Sequence, residues 1–304
     1  MPQEDSTKWF REAGFGIFCH ILPGSKEELD KTIGRFDAAA FAEDCRAAGA
    51  RYAMITLGQN SGFMNAPNAA YDRWAGPGFC AERDIVPELS EELARRGVSL
   101  MLYISGLAPK YPEKIWRGFG VTGQSDGTIF PTVDCIMNDA FVSRWSEVMG
   151  EYAGRYGALI RGWWVDGCYE WVNYTPDISE KYAKALKSAN PGSILAFNPG
   201  AGKMLRNGAS DYCAGEYDNI YEAKCGGPLA DGAQWHEFSY LCETWGGGRI
   251  RCGAAELAAH INEVHKNGGV FTLDVPFGKS GGKTGVRDDA MEFLIEMRKR
   301  GFYK

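Results

Sequence analysis

The stretch Leu159-Ile160-Arg161-Gly162-Trp163-Trp164-Val165-Asp166-Gly167-Cys168 decides how the rest of the chain is read. A short apolar run ends abruptly at Asp166-Gly167, directly after two tryptophans. Read as a strand buried on both faces, it carries a carboxylate out of a sheet and stops it at the rim among aromatic walls. An ionised acid beside flat indoles suits a cationic sugar centre and the face of a sugar ring. The same residues also fit a plain buried strand closed by an Asp-Gly turn.

Outward from this strand, strand-like and helix-like segments alternate. Phe15–His20, Arg51–Leu57 and Ser99–Ser105 read as strands before it. Ile194–Asn198, a short piece at Tyr212–Gly215, Ser239–Thr244 and Val270–Val275 read as strands after it. Helices are expected at Phe36–Gly49, Arg83–Gly97, Asn138–Tyr156, Ser179–Asn190, Ala254–Asn267 and Arg287–Gly301. Several close on glycine, as Gly49 and Gly97 show. Short apolar strands joined by helices imply a parallel sheet, and about eight of them in 304 residues suggest a closed (β/α)8 barrel in one domain over residues 1–304. An open doubly wound sheet is the alternative, but no G-x-G-x-x-G opens a strand-to-helix turn.

The composition is ordinary for a globular protein, with 45% hydrophobic and 24% charged residues. A net charge of −6 argues against nucleic acid or an anionic membrane as the main partner. The nine cysteines include no C-x-x-C, and those such as Cys45, Cys135 and Cys213 read as small reduced core residues. Met1–Phe15 holds charges throughout and no apolar core of a signal peptide, so a cytoplasmic setting is expected. Four histidines without an H-E-x-x-H pattern give no expectation of a metal or other cofactor. Oligomeric assembly is left open.

In a barrel of this kind the chemistry sits at the C-terminal ends of the strands. That rule selects His20, Gln59, Asn60, Tyr103, Ser105, Asp166, Asn198, Glu216, Glu243 and Trp245. The set is rich in carboxylates and amides and poor in cations, which suits a neutral polyol better than a phosphate ester. Phe277-Gly278-Lys279-Ser280-Gly281-Gly282-Lys283-Thr284 looks like a phosphate loop, but a Walker motif needs glycine where Phe277 stands. A phosphosugar barrel using Lys279 and Lys283 is a minor alternative. His260 and His265, beside the Leu257/Ile261/Val264 helix face, read as solvent-edge residues.

Several motifs, in chain order, resemble glycoside hydrolase family 29, the α-L-fucosidases. Phe15-Gly-Ile-Phe-Cys-His20 is similar to its "FGIFIHW". The segment from Phe36-Asp-Ala to Ala48-Gly-Ala-Arg-Tyr-Ala-Met-Ile-Thr56 resembles "FDAKEWAKLAKDAGAKYVVLT". Arg83-Asp-Ile-Val86 is similar to "RDLV" and Leu102-Tyr-Ile-Ser105 to "YYS". Trp163-Trp-Val-Asp-Gly167 resembles the nucleophile-bearing "LWFDG", and Asp211-Tyr-Cys-Ala-Gly-Glu-Tyr217 the "DYxTPEY" that carries the acid/base. Asn267-Gly-Gly-Val-Phe-Thr-Leu273 is similar to "GGNLLLN".

The resemblance implies a retaining exo-glycosidase acting on a terminal fucose or related sugar of a carbohydrate substrate. Asp166 would be the nucleophile and Glu216 the acid/base, with His20, Tyr103 and Trp235 lining the pocket; Gln59, Asn60, Trp164, Asn198 and Trp245 are further candidates for holding the sugar. The family's "KHHDGF" is replaced here by Gly58-Gln-Asn-Ser-Gly-Phe63, its Trp after His20 by Ile21, and its "EWY" segment has no counterpart in the short Pro23–Phe36 connection. The chain reads as a member without the C-terminal β-sandwich common in the family.

Such chemistry needs one ionised carboxylate beneath the anomeric carbon and a second acid at the leaving oxygen, about 5–5.5 Å apart for retention and about 6.5–9.5 Å for inversion. Glu216 is expected to titrate high in a dry setting, with Tyr217 and Trp235 as the drier wall. Glu170, Glu222, Glu237 and Glu243 are rival acids. A barrel that only binds carbohydrate is the alternative from another functional class.

Overall fold

The computed structural model describes residues 5–107, 109, 112–121, 137–203 and 208–301. Seven parallel strands form one curled sheet: β1 Phe15–Cys19, β2 Tyr52–Thr56, β3 Ser99–Ser105, β4 Gly162–Asp166, β5 Ile194–Phe197, β6 His236–Tyr240 and β7 Val270–Asp274. Their spatial order is β5-β4-β3-β2-β1-β7-β6. Helices link them, among them α1 Lys8–Ala13 before β1, α2 Lys26–Gly34 and α3 Ala38–Ala48 before β2, and α4 Asp139–Tyr156 before β4.

Period-two alternation sorts each strand's side chains between two cores. Ile17, Leu102, Ile104, Trp163 and Val165 face outward into the layer under the helices. Phe18, Met101, Tyr103 and Trp164 face inward with Tyr52, Met54 and Phe238. The inward core is closed below by α1, whose Phe10 ring lies 5.0 Å from Tyr52 and 4.8 Å from Tyr212. Asp166 follows Trp164 by two residues and so points to the same side, at the open end of the curl.

Between β5 and β6 the chain runs as an extended segment rather than the strand expected at Tyr212–Gly215. Asp211 N–H donates to Leu195 O at 2.8 Å on one side; Cys213 N–H donates to Gln234 O and Tyr217 N–H to Phe238 O, each at 2.9 Å, on the other. Isolated bridges pair Tyr212 with Gln234 and Glu216 with Phe238. The strand read as Ser239–Thr244 is two elements: β6 starts earlier, at His236, and Cys242–Thr244 pairs antiparallel with Gly247–Ile250. The Pro23–Phe36 connection also contains α2, capped by Ser25, which accepts from Glu28 N–H. Cys45 is buried and Cys213 half-buried, both as free thiols, and Cys135 lies outside the described residues.

Candidate active site

A cavity of about 350 Å³ opens at the C-terminal ends of the strands. Phe18, Tyr103, Trp164 and Phe238 supply its apolar part, and His20, Leu22, Gln59, Asp166, Glu216 and Trp245 its remaining lining. The aromatic part is braced as a unit: Tyr103 stacks on Phe18 at 5.5 Å and on Trp164 at 5.3 Å, and Phe238 meets Trp164 edge-on at 5.0 Å. The Trp164 indole N–H donates to Ala214 O at 3.0 Å, so its one polar atom is satisfied inside the curl.

Donors converge on Asp166. Tyr103 Oη donates to Oδ2, while Gly167 N–H and Asn198 Nδ2 each donate to Oδ1 at 2.8 Å. Gln59 Nε2 in turn donates to Tyr103 Oη at 2.6 Å, which fixes the phenol toward the carboxylate. Burial, then the Asp166 charge, push the Tyr103 phenol well above its ordinary range, so it remains a donor. Such a set of donors is what a carboxylate needs once withdrawn from bulk water.

Glu216 stands opposite. Asn198 Nδ2 donates to its Oε2 as well as to Asp166 Oδ1, so one amide nitrogen ties the two carboxylates together. Two hydrogen bonds to a shared nitrogen place the nearest carboxylate oxygens no more than about 6 Å apart. The Glu216 carboxyl is pushed up to about 7, chiefly by burial and next by the negative charge of Asp166. Asn198, a donor to the ionised form, opposes this rise. A carboxyl lifted toward neutrality is suited to giving up a proton near pH 7.

The backbone makes both positions. Gly167, after Asp166, has φ +77°, and Gly215, before Glu216, has φ +67°. A Cβ on Gly215 would stand 2.0 Å from His236 O, so only glycine lets this segment lie against β6. On β1's exit, His20 Nδ1 lies 3.0 Å from Asp274 Oδ1, and Asp274 Oδ2 accepts from Gly246 N–H at 2.5 Å. This bond orients the ring, which faces Trp245 at 6.0 Å.

The α-L-fucosidase family model matches residues 27–282. The chain belongs to that family. A putative α-L-fucosidase of Caenorhabditis elegans is 27% identical, over 32% of this chain and 28% of that protein, so the match spans less than a third of the relative's length. The endo-fucoidan hydrolase P5AFcnA of glycoside hydrolase family 107 has a TM-score of 0.73 at 15% identity, covering 97% of this chain and 93% of its own. The α-L-fucosidase AlfC of Lactobacillus casei has a TM-score of 0.69 at 16% identity, covering 97% and 98%. A family 29 α-L-fucosidase of Bacteroides thetaiotaomicron, trapped as a covalent intermediate, has a TM-score of 0.69 at 15% identity, covering 98% and 74%. At these identities the structural likeness establishes the fold.

For this α-L-fucosidase family member, the cavity gathers His20, Gln59, Tyr103, Trp164, Asp166, Glu216 and Trp245 from the residues expected on sequence grounds. Asn198 acts from behind the carboxylates, and Asn60 is not among the lining residues. Trp235 is misplaced in the sequence reading: it precedes β6, at the opposite end of the strand from the cavity, and donates to Glu237 Oε1 at 3.0 Å. It therefore cannot dry Glu216, a task left to Trp164, Phe238 and Trp245.

Among the five glutamates weighed, only Glu216 lines the cavity. Glu237 is buried between Trp235 and His260, which turns inward rather than lying free at the solvent edge. Glu243 binds Arg249, and Glu170 and Glu222 are exposed. The phosphate-loop lookalike is a hairpin, Phe277–Lys279 with Lys283–Val286, in which Lys279 pairs with buried Asp44 at 2.7 Å. The sequence does not point to Phe18, Leu22 or Phe238, although Phe18 stands two residues before His20 and so shares its side of the strand.

Proposed function

We propose that this chain is a retaining exo-α-glycosidase that releases a terminal α-L-fucose or a closely related sugar. The observation that supports the reading is the shared Asn198 donor, which keeps the nearest oxygens of Asp166 and Glu216 no more than about 6 Å apart, close to the separation that retaining pairs use. Asp166 attacks the anomeric carbon while Glu216 gives its proton to the departing glycosidic oxygen. Glu216 then takes a proton from water, which attacks the same carbon, breaks the bond to Asp166 and frees the sugar with its anomeric configuration kept.

The cavity's size, near the lower end for ligand sites, suits a single sugar ring and hence exo action. Its apolar side, Phe18 and Phe238, suits a 6-deoxy sugar, whose methyl brings no hydroxyl to satisfy. His20, Gln59 and Trp245 are assigned to the sugar hydroxyls and ring face. The Bacteroides thetaiotaomicron relative, trapped with a 2-fluoro-fucosyl fluoride, supports a covalent intermediate in this family. We further infer that the 211–217 segment serves as the eighth stave, closing a (β/α)8 barrel within a single catalytic domain. Its hydrogen bonds to Leu195 on one side and to Gln234 and Phe238 on the other support this closure.

The test is hydrolysis of an aryl α-L-fucoside. Wild-type protein is expected to release the aryl alcohol, Asp166→Ala to lose turnover by at least about 10³-fold, and azide to restore part of it. Full activity in Asp166→Ala contradicts the assignment.

A further inference from the structure

We propose that a cationic cleft beside the sugar pocket binds an anionic group, a sulfate ester or a uronate carboxylate, on the glycan to which the terminal sugar is attached. The proposal rests on the exo-glycosidase reading, because only then does the rest of the glycan extend out of the first pocket. A second cavity of about 440 Å³ shares His20, Leu22 and Trp245 with the first, so the two adjoin across one wall. Lys31, Arg35 and Lys283 line it, against a single carboxylate, Glu28.

The three cations come from two segments fixed to each other. Lys31 and Arg35 stand one turn apart at the end of α2, on the same face. Lys283 opens the second strand of the hairpin after β7. Thr284 Oγ1 accepts from Asp37 N–H at 2.9 Å and donates to Arg35 O at 3.3 Å, which pins that hairpin to the end of α2.

None of the three side chains makes an ion pair or hydrogen bond among the described residues. Elsewhere most arginines have carboxylate partners, as in Arg46–Glu43, Arg95–Glu92 and Arg287–Asp289. Glu28 Oε2 is occupied by Gly24 N–H at 2.8 Å. In a chain of net charge −6, three unneutralised cations gathered in one cleft form a local positive field that a neutral glycan does not need. An anionic group with several acceptor oxygens satisfies them together, Arg35 by its fork and the lysines as point charges. Lys279, the other lysine of that hairpin, is excluded by its pairing with Asp44.

The experiment compares a neutral α-L-fucosyl disaccharide, the same disaccharide bearing a sulfate ester on the second sugar, a uronate counterpart, and an aryl α-L-fucoside. An acidic disaccharide is expected to show kcat/KM about tenfold above the neutral one at low salt, with the gap closing as salt rises. Lys31→Ala, Arg35→Ala and Lys283→Ala should each erode that gap while leaving the aryl fucoside unchanged. The sulfate and uronate arms show which anion the cleft prefers. Equal rates on acidic and neutral disaccharides, or equal losses on all substrates, overturn the proposal.

Calorimetric binding of the acidic and neutral disaccharides to Asp166→Ala reads the cleft without turnover. A preference for the acidic sugar supports the proposal even if the aryl fucoside is not cleaved. Binding of inorganic sulfate alone, with no gain from the attached sugar, overturns it.

Discussion

Asp166 and Glu216 accept hydrogen bonds from the same nitrogen, Asn198 Nδ2. The two carboxylates are thus tied together by the residue that follows β5, and each stands beside a glycine with positive φ. Their environments differ: Asp166 is crowded by donors, whereas Glu216 is desolvated and faces a negative neighbour.

Glu216 must carry its proton to act as the acid. With its carboxyl at about 7, the acidic form dominates below that pH and is lost above it. The kcat/KM profile for a fucoside whose leaving group needs protonation should therefore fall on an alkaline limb near pH 7. Glu216→Gln should lose that limb along with about 10²–10⁴-fold of activity on the same substrate. A limb that persists unchanged in the variant would assign the acid elsewhere.

Asn198→Ala removes a donor that stabilises the ionised Glu216. The alkaline limb is expected to move upward, and kcat to fall about 10–100-fold with a smaller change in KM, because the carboxylates lose their spacer rather than a sugar contact. A change confined to KM would make Asn198 a substrate ligand instead.

The raised Glu216 carboxyl also costs stability. Between the ordinary glutamate value and about 7 the folded state holds a proton that the unfolded state has released, so stability falls as pH rises through that window. Glu216→Gln should therefore be more stable than wild type by about 1–3 kcal/mol above pH 7, and near parity at pH 4. Thermal melts at the two pH values read the difference directly.

Gly215→Ala and Gly202→Ala separate strain from clash. Both glycines have φ +67°, but a Cβ at Gly202 meets nothing within 4 Å, while at Gly215 it meets His236 O at 2.0 Å. Gly202→Ala should cost about 1 kcal/mol. Gly215→Ala should cost about 3 kcal/mol or more and depress kcat, because Glu216 moves with the backbone. Equal melting points would mean that the 211–217 segment yields freely.

Much of this architecture is legible in the chain because strands buried on both faces are written as uninterrupted apolar runs. Phe15–Cys19, Ser99–Ser105 and Gly162–Asp166 are of that kind, and at or just past their C-terminal ends they deliver His20, Tyr103 and Asp166 to the cavity. The failures lie where burial and apolarity part. His236-Glu-Phe-Ser-Tyr240 carries buried polar residues on both faces, because His236 is paired inside the curl with Thr272 and Glu237 beneath the helices with His260. The sequence pattern therefore points to a strand that starts three residues late, hides Phe238 and puts Trp235 at the wrong end. The segment Asp211–Tyr217 bonds to both neighbours mostly through isolated contacts, a pattern without a periodic signature. The second cavity's cations were invisible because α2 and the hairpin after β7 meet only in the fold.

The central claim is that Asp166 and Glu216 perform a double displacement. Following hydrolysis of an aryl α-L-fucoside by proton NMR, before mutarotation, reads the anomer first released. The account predicts the α-anomer, with configuration retained; the β-anomer as first product would contradict it.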